Sequence, residues 1–417
     1  MKTKDYVIIN VYWFGLAFLW NGLHPIILPA LLLRIVPESL KNTYLGGLTF
    51  VGLILAMVIQ PLAGALSDHT RARWGRRCPW MLAGVSASIV ILIGMAFISG
   101  LGGLIVTYLL LQVASNMAQG PAQGLIPDLV PEERRGIASG FKNLFDMGGL
   151  VVTSLIAGQL MGDDNPALAL AITGGVLGVS TLITVLTSPE RSSAAPGQPE
   201  APSQPGLRDL FHVHLGDYPD YAWLLISRFL ILLGIYAVQS FAQYFIRDRL
   251  NVPEPAIVTG NLMATIGLAL TLLVFPAGWL SDRVGRMRLN FFAGALAAIG
   301  IGLLALAQSV TALYVIGGLI GVATGIFLSV NWALATDLIP ADEAGKYMGL
   351  SNLATAGAGA ASRLGGPLID GLNALRPGAY LGYPALFLLS ALSTLVGTVL
   401  MRRIRVCRSE SALELSI

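Results

Sequence analysis

Two short cassettes each occur twice in this chain at nearly one separation, and few folds accommodate a duplication of that kind. Gly64-Ala-Leu-Ser67-Asp68 returns as Gly278-Trp-Leu-Ser281-Asp282, an offset of 214 residues from Gly64 to Gly278. Asp128-Leu-Val-Pro131, followed by Gly136, Gly140 and Asn143, returns as Asp337-Leu-Ile-Pro340, followed by Gly345, Gly349 and Asn352. That offset is 209 residues from Asp128 to Asp337. Most of the difference lies in one loop, because Asp68 and Gly75 are seven positions apart and Asp282 and Gly285 only three. The chain therefore contains a unit of about half its length, twice. In a membrane protein a parallel repeat predicts two similar helix bundles with a substrate site between them.

Composition places those bundles in lipid. Apolar residues make up 55% of the chain, charged residues only 12%, and the mean hydropathy is +0.71. A soluble chain carries about 25% charged residues. Here the charges fall between apolar runs of about 20 residues, the length that crosses a hydrocarbon core of ~30 Å. Twelve runs are expected: 6–33, 44–66, 79–99, 101–127, 137–161, 165–188, 221–246, 256–280, 288–307, 311–335, 347–370 and 380–401. The expected fold is an all-α membrane protein of twelve transmembrane helices in two pseudo-symmetric six-helix bundles, residues 1–188 and 221–417. Between them, 189–220 is rich in Pro, Ser, Ala and Gln, a composition that cannot bury a core and predicts a flexible tether. His212 and His214 in it are expected to be solvated. The first run carries Trp20, Asn21 and His24 and no small-residue cleavage site, so it is expected to be a retained span.

Orientation follows from Lys and Arg. With both termini cytoplasmic, 18 of the 26 basic residues fall on the inner side, five outside, and three (Lys142, Arg228, Arg363) within spans. That bias satisfies the positive-inside rule and accounts for the net charge of +3 without nucleic-acid binding. A multi-pass protein of the cell (inner) membrane, working as a monomer, is expected. Cys78 and Cys407 both fall on the cytoplasmic side, where a disulfide is not expected, and two thiols make no metal framework. No metal or cofactor is expected.

The first cassette continues as Asp68-His-Thr-Arg-Ala-Arg73-Trp-Gly-Arg76-Arg-Cys-Pro79. An acid ending one span, a short loop and a basic cluster opening the next form a compact charged clasp. This resembles the loop motif of the major facilitator superfamily, with a degenerate copy at 278–286, and the resemblance covers the whole chain. It implies that Asp68 caps the start of the eleventh helix near Lys346–Gly349 and that Arg76 meets Asp128, with Arg73 part of the same cytoplasmic gate. By symmetry Asp282 would face the helix start near Gly136–Gly140, and Arg286 would meet Asp337. An anion at a helix N-terminus gains ~0.3–1 kcal/mol. Contacts of that size can hold a face shut and still break.

A narrower resemblance rests on Gln60-Pro61, on Asn116-Met-Ala-Gln119-Gly120-Pro121, and on Gly345-Lys-Tyr-Met-Gly349-Leu-Ser-Asn352. Together these look like the sucrose/proton symporters, within the wider glycoside–pentoside–hexuronide–cation symporter group. The resemblance implies a sugar or glycoside as substrate and a proton as the coupling ion. The departures concern coupling: Gln112 stands where sucrose symporters carry an aspartate and Gln123 where they carry an arginine. Ala56 and Gln60 stand where melibiose-type members carry acids. Amides hydrogen-bond a sugar, but they cannot carry a proton or balance a cation.

Polar residues inside spans need a partner or a task, since a mid-membrane charge costs at least ~2.5–3.5 kcal/mol on insertion scales. Lys142 and Asp146 are four apart and share a helix face. Asp146 is the candidate proton carrier, and Lys142 and Arg363 are candidate substrate contacts. Gln112, Asn116, Gln119 and Gln123 run along one helix as a stripe facing a cavity or another helix, and with Asn21 they complete the expected substrate site. Trp20 offers a flat surface for a sugar. His24, Gln239, Gln243, Asn331 and Trp332 are weaker candidates, and Arg228 is expected to snorkel from near a helix end. Clustered acids, metal ligands or a nucleophile–base pair, which an enzyme would need, are not evident. The expected function is alternating-access transport of a sugar or glycoside, proton-coupled. Export or exchange of another small polar metabolite or drug on the same fold is the alternative.

Overall fold

The computed structural model describes residues 3–188, 218–339 and 344–404, and these are helical with no strand among them. Residues 189–217 of the expected tether, with His212 and His214, and Cys407 lie outside the described residues. In chain order the helices are α1 (Lys4–Leu33), α2 (Lys41–Asp68), α3 (Cys78–Met95), α4 (Leu101–Leu129), α5 (Arg135–Gly162) and α6 (Pro166–Thr187). The second half repeats the series as α7 (Pro219–Arg249), α8 (Pro255–Val284), α9 (Arg286–Leu304), α10 (Val310–Asp337), α11 and α12 (Gly382–Leu400).

Eleven of these are long and apolar enough to cross a membrane. The exception is α11, whose segments Ala344–Ser362 and Gly365–Leu375 are broken at Arg363 and Leu364. Gly, Ala, Ser and Asn dominate its first segment, so it is the least oily span expected from the sequence.

The packing repeats with the sequence. In the first half α1 packs on α5 and α6, α2 on α4, and α3 on α4 and α6. In the second, α7 packs on α11 and α12, α8 on α10, and α9 on α10 and α12. Each pairing recurs six helices later, so the two bundles are pseudo-symmetric. The seam between them obeys the same symmetry, with α5 against α8 and α11 against α2.

The main seam contacts lie away from the cassettes. They join the last turns of α5 to the first turns of α8, and the start of α2 to the end of α11. The approach is close because glycine lines it. A Cβ on Gly260 would lie 2.2 Å from the Ser154 carbonyl oxygen, and one on Gly46 2.2 Å from that of Arg363. Small residues bring backbones together where lipid gives no hydrophobic drive for association. The face bearing the Arg-rich cassette loops is called the basic face below, and the opposite one the far face. The halves are therefore drawn together at the far face.

Candidate functional site

Prolines shape the inner wall of α1. Pro25 and Pro29 remove two N–H donors, and the helix widens into a π-turn over Leu23–Ile27. Pro29 cannot donate to the Pro25 carbonyl, and that carbonyl is taken from the other half. With its amide nitrogen turned toward them, Gln243 donates to the Pro25 and Ile26 carbonyls at 2.8 and 2.9 Å. The Tyr244 hydroxyl donates to the Pro29 carbonyl at 3.0 Å.

One turn back on α1, Trp20 stacks on His24 with centroids 4.8 Å apart. His24 Nε2 lies 3.0 Å from the Tyr108 hydroxyl on α4, and Gln112 Nε2 donates to the same oxygen at 2.8 Å. Asn116 Nδ2 donates to the Gln112 carbonyl and side-chain oxygen at 2.8 and 3.1 Å. Asn21 turns its amide onto its own helix, donating to the Ala17 carbonyl at 2.9 Å. Gln119, half-buried one turn beyond Asn116, makes no side-chain hydrogen bond among the described residues.

The in-span charges lie on α5, α7 and α11. Lys142 Nζ lies 3.4 Å from Asp146 Oδ2 and 4.1 Å from the Trp13 ring centroid. Arg228 of α7 is buried, donating from Nε to the Thr355 hydroxyl at 2.9 Å and from Nη1 to Asn331 Oδ1 at 2.6 Å. The Trp332 ring centroid is 5.7 Å from the same guanidinium. Arg363, at the break in α11, has a buried Nε with no acceptor. Its charge acts on His24 and Tyr108 of the first half and on Tyr236 of the second. A charged side chain at the bilayer centre costs ~2.5–3.5 kcal/mol on insertion scales, and Arg228 and Arg363 have no carboxylate partner among the described residues.

At the basic face each half ties its own cassettes together. Arg76 Nη2 meets Asp128 Oδ1 at 2.6 Å, and its Nη1 lies 4.0 Å from Asp68 Oδ1. Arg77 is 2% exposed and bridges both acids, at 2.5 Å to Asp68 and 3.0 Å to Asp128. It also donates to the Ser67 hydroxyl at 2.5 Å and to the Gly64 carbonyl at 3.2 Å. In the second half Arg286 Nη1 meets the Asp337 oxygens at 2.5 and 2.6 Å, and Nη2 meets Asp282 at 3.2 Å. Gly75 (φ 88°) and Gly285 (φ 101°) directly precede Arg76 and Arg286. The left-handed turn that glycine permits sends each arginine back toward the acids.

The far face carries a lock that crosses the seam. Lys41 pairs with Asp248 at 2.7 Å, and Asn42 Nδ2 and the Thr43 amide donate to Asp370 at 2.8 and 2.7 Å. The Tyr383 hydroxyl donates to Asp248 at 2.5 Å, and Arg247 Nη1 donates to Glu38 at 2.8 Å.

The family model of the Major Facilitator Superfamily matches residues 11–363 and 224–413. The chain belongs to that superfamily. It is a multi-pass membrane transporter and not an enzyme. The chain is 34% identical to the sucrose transport protein SUC4 of Arabidopsis thaliana over 119 residues, 24% of this chain and 23% of that protein. This match thus spans about a quarter of that relative's length. It is 23% identical over 336 residues to the multi-drug resistance efflux pump PmrA of Streptococcus pneumoniae, covering 80% of this chain and 81% of the pump. Among solved structures, a bacterial homologue of the human lysosomal transporter Spinster, inward-facing and unoccupied, superposes with a TM-score of 0.73. That match has 16% identity and covers 98% of this chain and 100% of the other.

Several superfamily expectations meet a different geometry. Among the described residues the partners of Asp68 and Asp282 are Arg76, Arg77 and Arg286 of their own halves. The halves converge at the far face, which leaves the acids to their local arginines. Arg73 is exposed and without an ion pair among the described residues. The loop before Gly75 points it outward, and Arg77 at the start of α3 takes the inner place.

Gln123 is exposed and five residues before Asp128, too near the basic face for a mid-membrane site. Gln112 and Asn116 are in the expected cluster but spend their amides on Tyr108 and on each other. Arg228 does not snorkel, because Thr355 and Asn331 hold it inward. The far-face lock was not anticipated from the sequence at all.

Proposed function

We propose that this transporter moves a sugar or glycoside by alternating access, with residues 1–188 and 221–417 as the two halves that rock about the central site. The observation that carries the reading is the Trp20–His24 stack beside the Tyr108, Gln112 and Asn116 network, with Gln119 free one turn away. A sugar needs a flat apolar surface next to neutral donors and acceptors, and this wall supplies both. Gln119 and Asn21 contact the substrate, Lys142 and Arg363 bound it on opposite halves, and Asp146 carries the coupling proton. The similarity to a sucrose transport protein supports the same substrate class.

The basic face is cytoplasmic by the distribution of Lys and Arg. On that reading the far-face lock is closed and the protein stands inward-facing, with its cytoplasmic clasps parted between halves. The protein resides in the cell (inner) membrane and works as a monomer. Export of another small polar compound is a second reading, supported by similarity to a drug efflux pump along most of the chain.

Purified protein in liposomes, offered radiolabelled sugars with and without an imposed pH gradient, tests the proposal. Gradient-driven accumulation of a sugar is expected. Transport confined to non-sugar compounds would sink the substrate class, and accumulation driven only outward would favour export.

A further inference from the structure

The buried cations of this protein fall into two groups. Lys41 has Asp248, Arg77 has Asp68 and Asp128, and Lys142 has Asp146. Arg228 and Arg363 have no carboxylate partner among the described residues, and the acidic side chains near them are tyrosine hydroxyls, which are un-ionised near neutral pH. Both belong to the second half, Arg228 on α7 and Arg363 at the break in α11. Arg228 reaches Thr355 on α11, and Arg363 lies eight residues further along the same helix, about 12 Å at helical rise. Between those levels the Tyr236 ring packs on Gly359, and both arginine charges act on Tyr236.

The unsatisfied polar atoms at this place have one character. Arg363 Nε and Asn331 Nδ2 are buried donors without acceptors. Arg228 has committed Nε and Nη1 to neutral oxygens, which satisfy hydrogen bonds and leave its charge unbalanced. With Lys142 and Asp146 cancelling, the central site keeps an excess of two positive charges. A neutral sugar supplies acceptors for the free donors but nothing for that charge.

We infer that the substrate of the central site carries a carboxylate or a phosphate, seated on the Arg363 guanidinium within the positive field of Arg228. A guanidinium with a free Nε presents a planar fork that an anion's two oxygens can meet together. The Arg363 carbonyl packs against Gly46 of α2 and the Tyr108 ring against Gly52, six residues further along the same helix and about 9 Å at helical rise, so an anion seated on Arg363 is within reach of the aromatic and amide wall of the first half. The inference rests on the sugar reading for the body of the substrate and adds its charge. An acidic sugar would set its ring against Trp20 and its anion against Arg363.

The test is binding to the full purified chain in lipid nanodiscs, at constant ionic strength, by thermal shift and by calorimetry. The probes are glucuronate, glucose 6-phosphate, methyl glucoside and inorganic phosphate. At least one acidic sugar is expected to bind tenfold or more tightly than methyl glucoside, with the two sugars distinguishing a carboxylate seat from a phosphate seat. Arg363→Gln is expected to reduce that preference to under threefold, while Arg363→Lys retains part of it.

Equal or tighter binding of methyl glucoside overturns the inference and leaves the sugar reading standing. Phosphate binding as tightly as the acidic sugars, in an Arg363-dependent way, upholds the anion seat and sinks the sugar reading. An acidic-sugar preference that survives in a folded Arg363→Gln protein overturns the seat. Absence of binding by all four probes overturns the inference as well. Should Arg363→Gln fail to fold, the wild-type preference and Arg228→Gln, expected to weaken the acidic probe several-fold, still decide it.

Discussion

Lys41 and Asp248 meet 2.7 Å apart across the seam between the two halves, each side chain only 3% exposed. The first residue of α2 is thereby tied to the end of α7, with Tyr383 donating to the same carboxylate and Asp370 holding the next two residues of α2. A buried pair gains little over apolar packing, but losing one partner strands the other and costs ~3–5 kcal/mol. Such a contact is a strong determinant of which face is shut.

Asp248→Asn should therefore open the far face. Lys41 keeps only Glu38, which is 59% exposed, so the low end of that cost applies, and ~3 kcal/mol is about a hundredfold change in the balance of states. A cysteine introduced at Thr49 on α2, buried here one turn from Gly46 at the seam, should become reactive from the far face, and transport should fall. Unchanged reactivity in a folded protein would show that the lock does not set the state.

Glycine at the seam should act in the same direction by sterics. Gly260→Ala puts a methyl 2.2 Å from the Ser154 carbonyl oxygen, a backbone atom that cannot swing aside. The closed far face should be disfavoured, and separation of α5 from α8 would relieve the conflict. Spin labels on the far ends of α5 and α8 should report a longer distance in Gly260→Ala. Gly47→Ala, where nothing lies within 4 Å, should leave it unaltered. Equal distances in both would mean that the seam relaxes around the methyl.

Removal of the Arg77 side chain should damage the protein more than removal of Arg73. Arg77 is the buried bridge between Asp68 and Asp128, and without it two carboxylates share a site served by Arg76 alone. Arg77→Ala should lower the thermal midpoint by several degrees, in line with ~3–5 kcal/mol for a broken buried pair. Arg73→Ala should stay within about a degree of wild type. Comparable losses in the two variants would remove the special place given to Arg77.

Those residues also mark what the sequence made legible. Arg76 with Asp128 and Arg286 with Asp337 were expected from the resemblance of the two cassettes to the superfamily's loop motif. Lys142 with Asp146 followed from a spacing of four on a helix. The choice of Arg77 over Arg73 depended on the left-handed turn at Gly75, which composition does not specify. Lys41 and Asp248 are 207 residues apart, and each looks locally like an ordinary charge at a helix end. Arg228 was misjudged for the same reason, since its depth is set by Thr355 and Asn331 on two other helices. Contacts between halves carry no periodicity, and only the assembled bundle displays them.

Coupling can be probed at Asp146, the carboxylate held at the central site by Lys142. A proton arriving on Asp146 would release Lys142, leaving it against the Trp13 ring alone and free to meet the substrate. Loss of the proton would restore the pair and withdraw that contact. Asp146→Asn mimics the protonated state permanently, so gradient-driven accumulation should be abolished while exchange of substrate at equal concentrations continues.

The charge of the substrate sharpens this expectation. One proton moving with a singly charged anion is electroneutral, so uptake should follow the pH gradient, ~1.4 kcal/mol per unit, and ignore a membrane potential worth ~2.3 kcal/mol per charge per 100 mV. Wild-type liposomes should accumulate an acidic sugar when only the pH gradient is imposed and remain passive when only a potassium diffusion potential is. Accumulation by Asp146→Asn under the same pH gradient would make Asp146 structural and place the proton on another group.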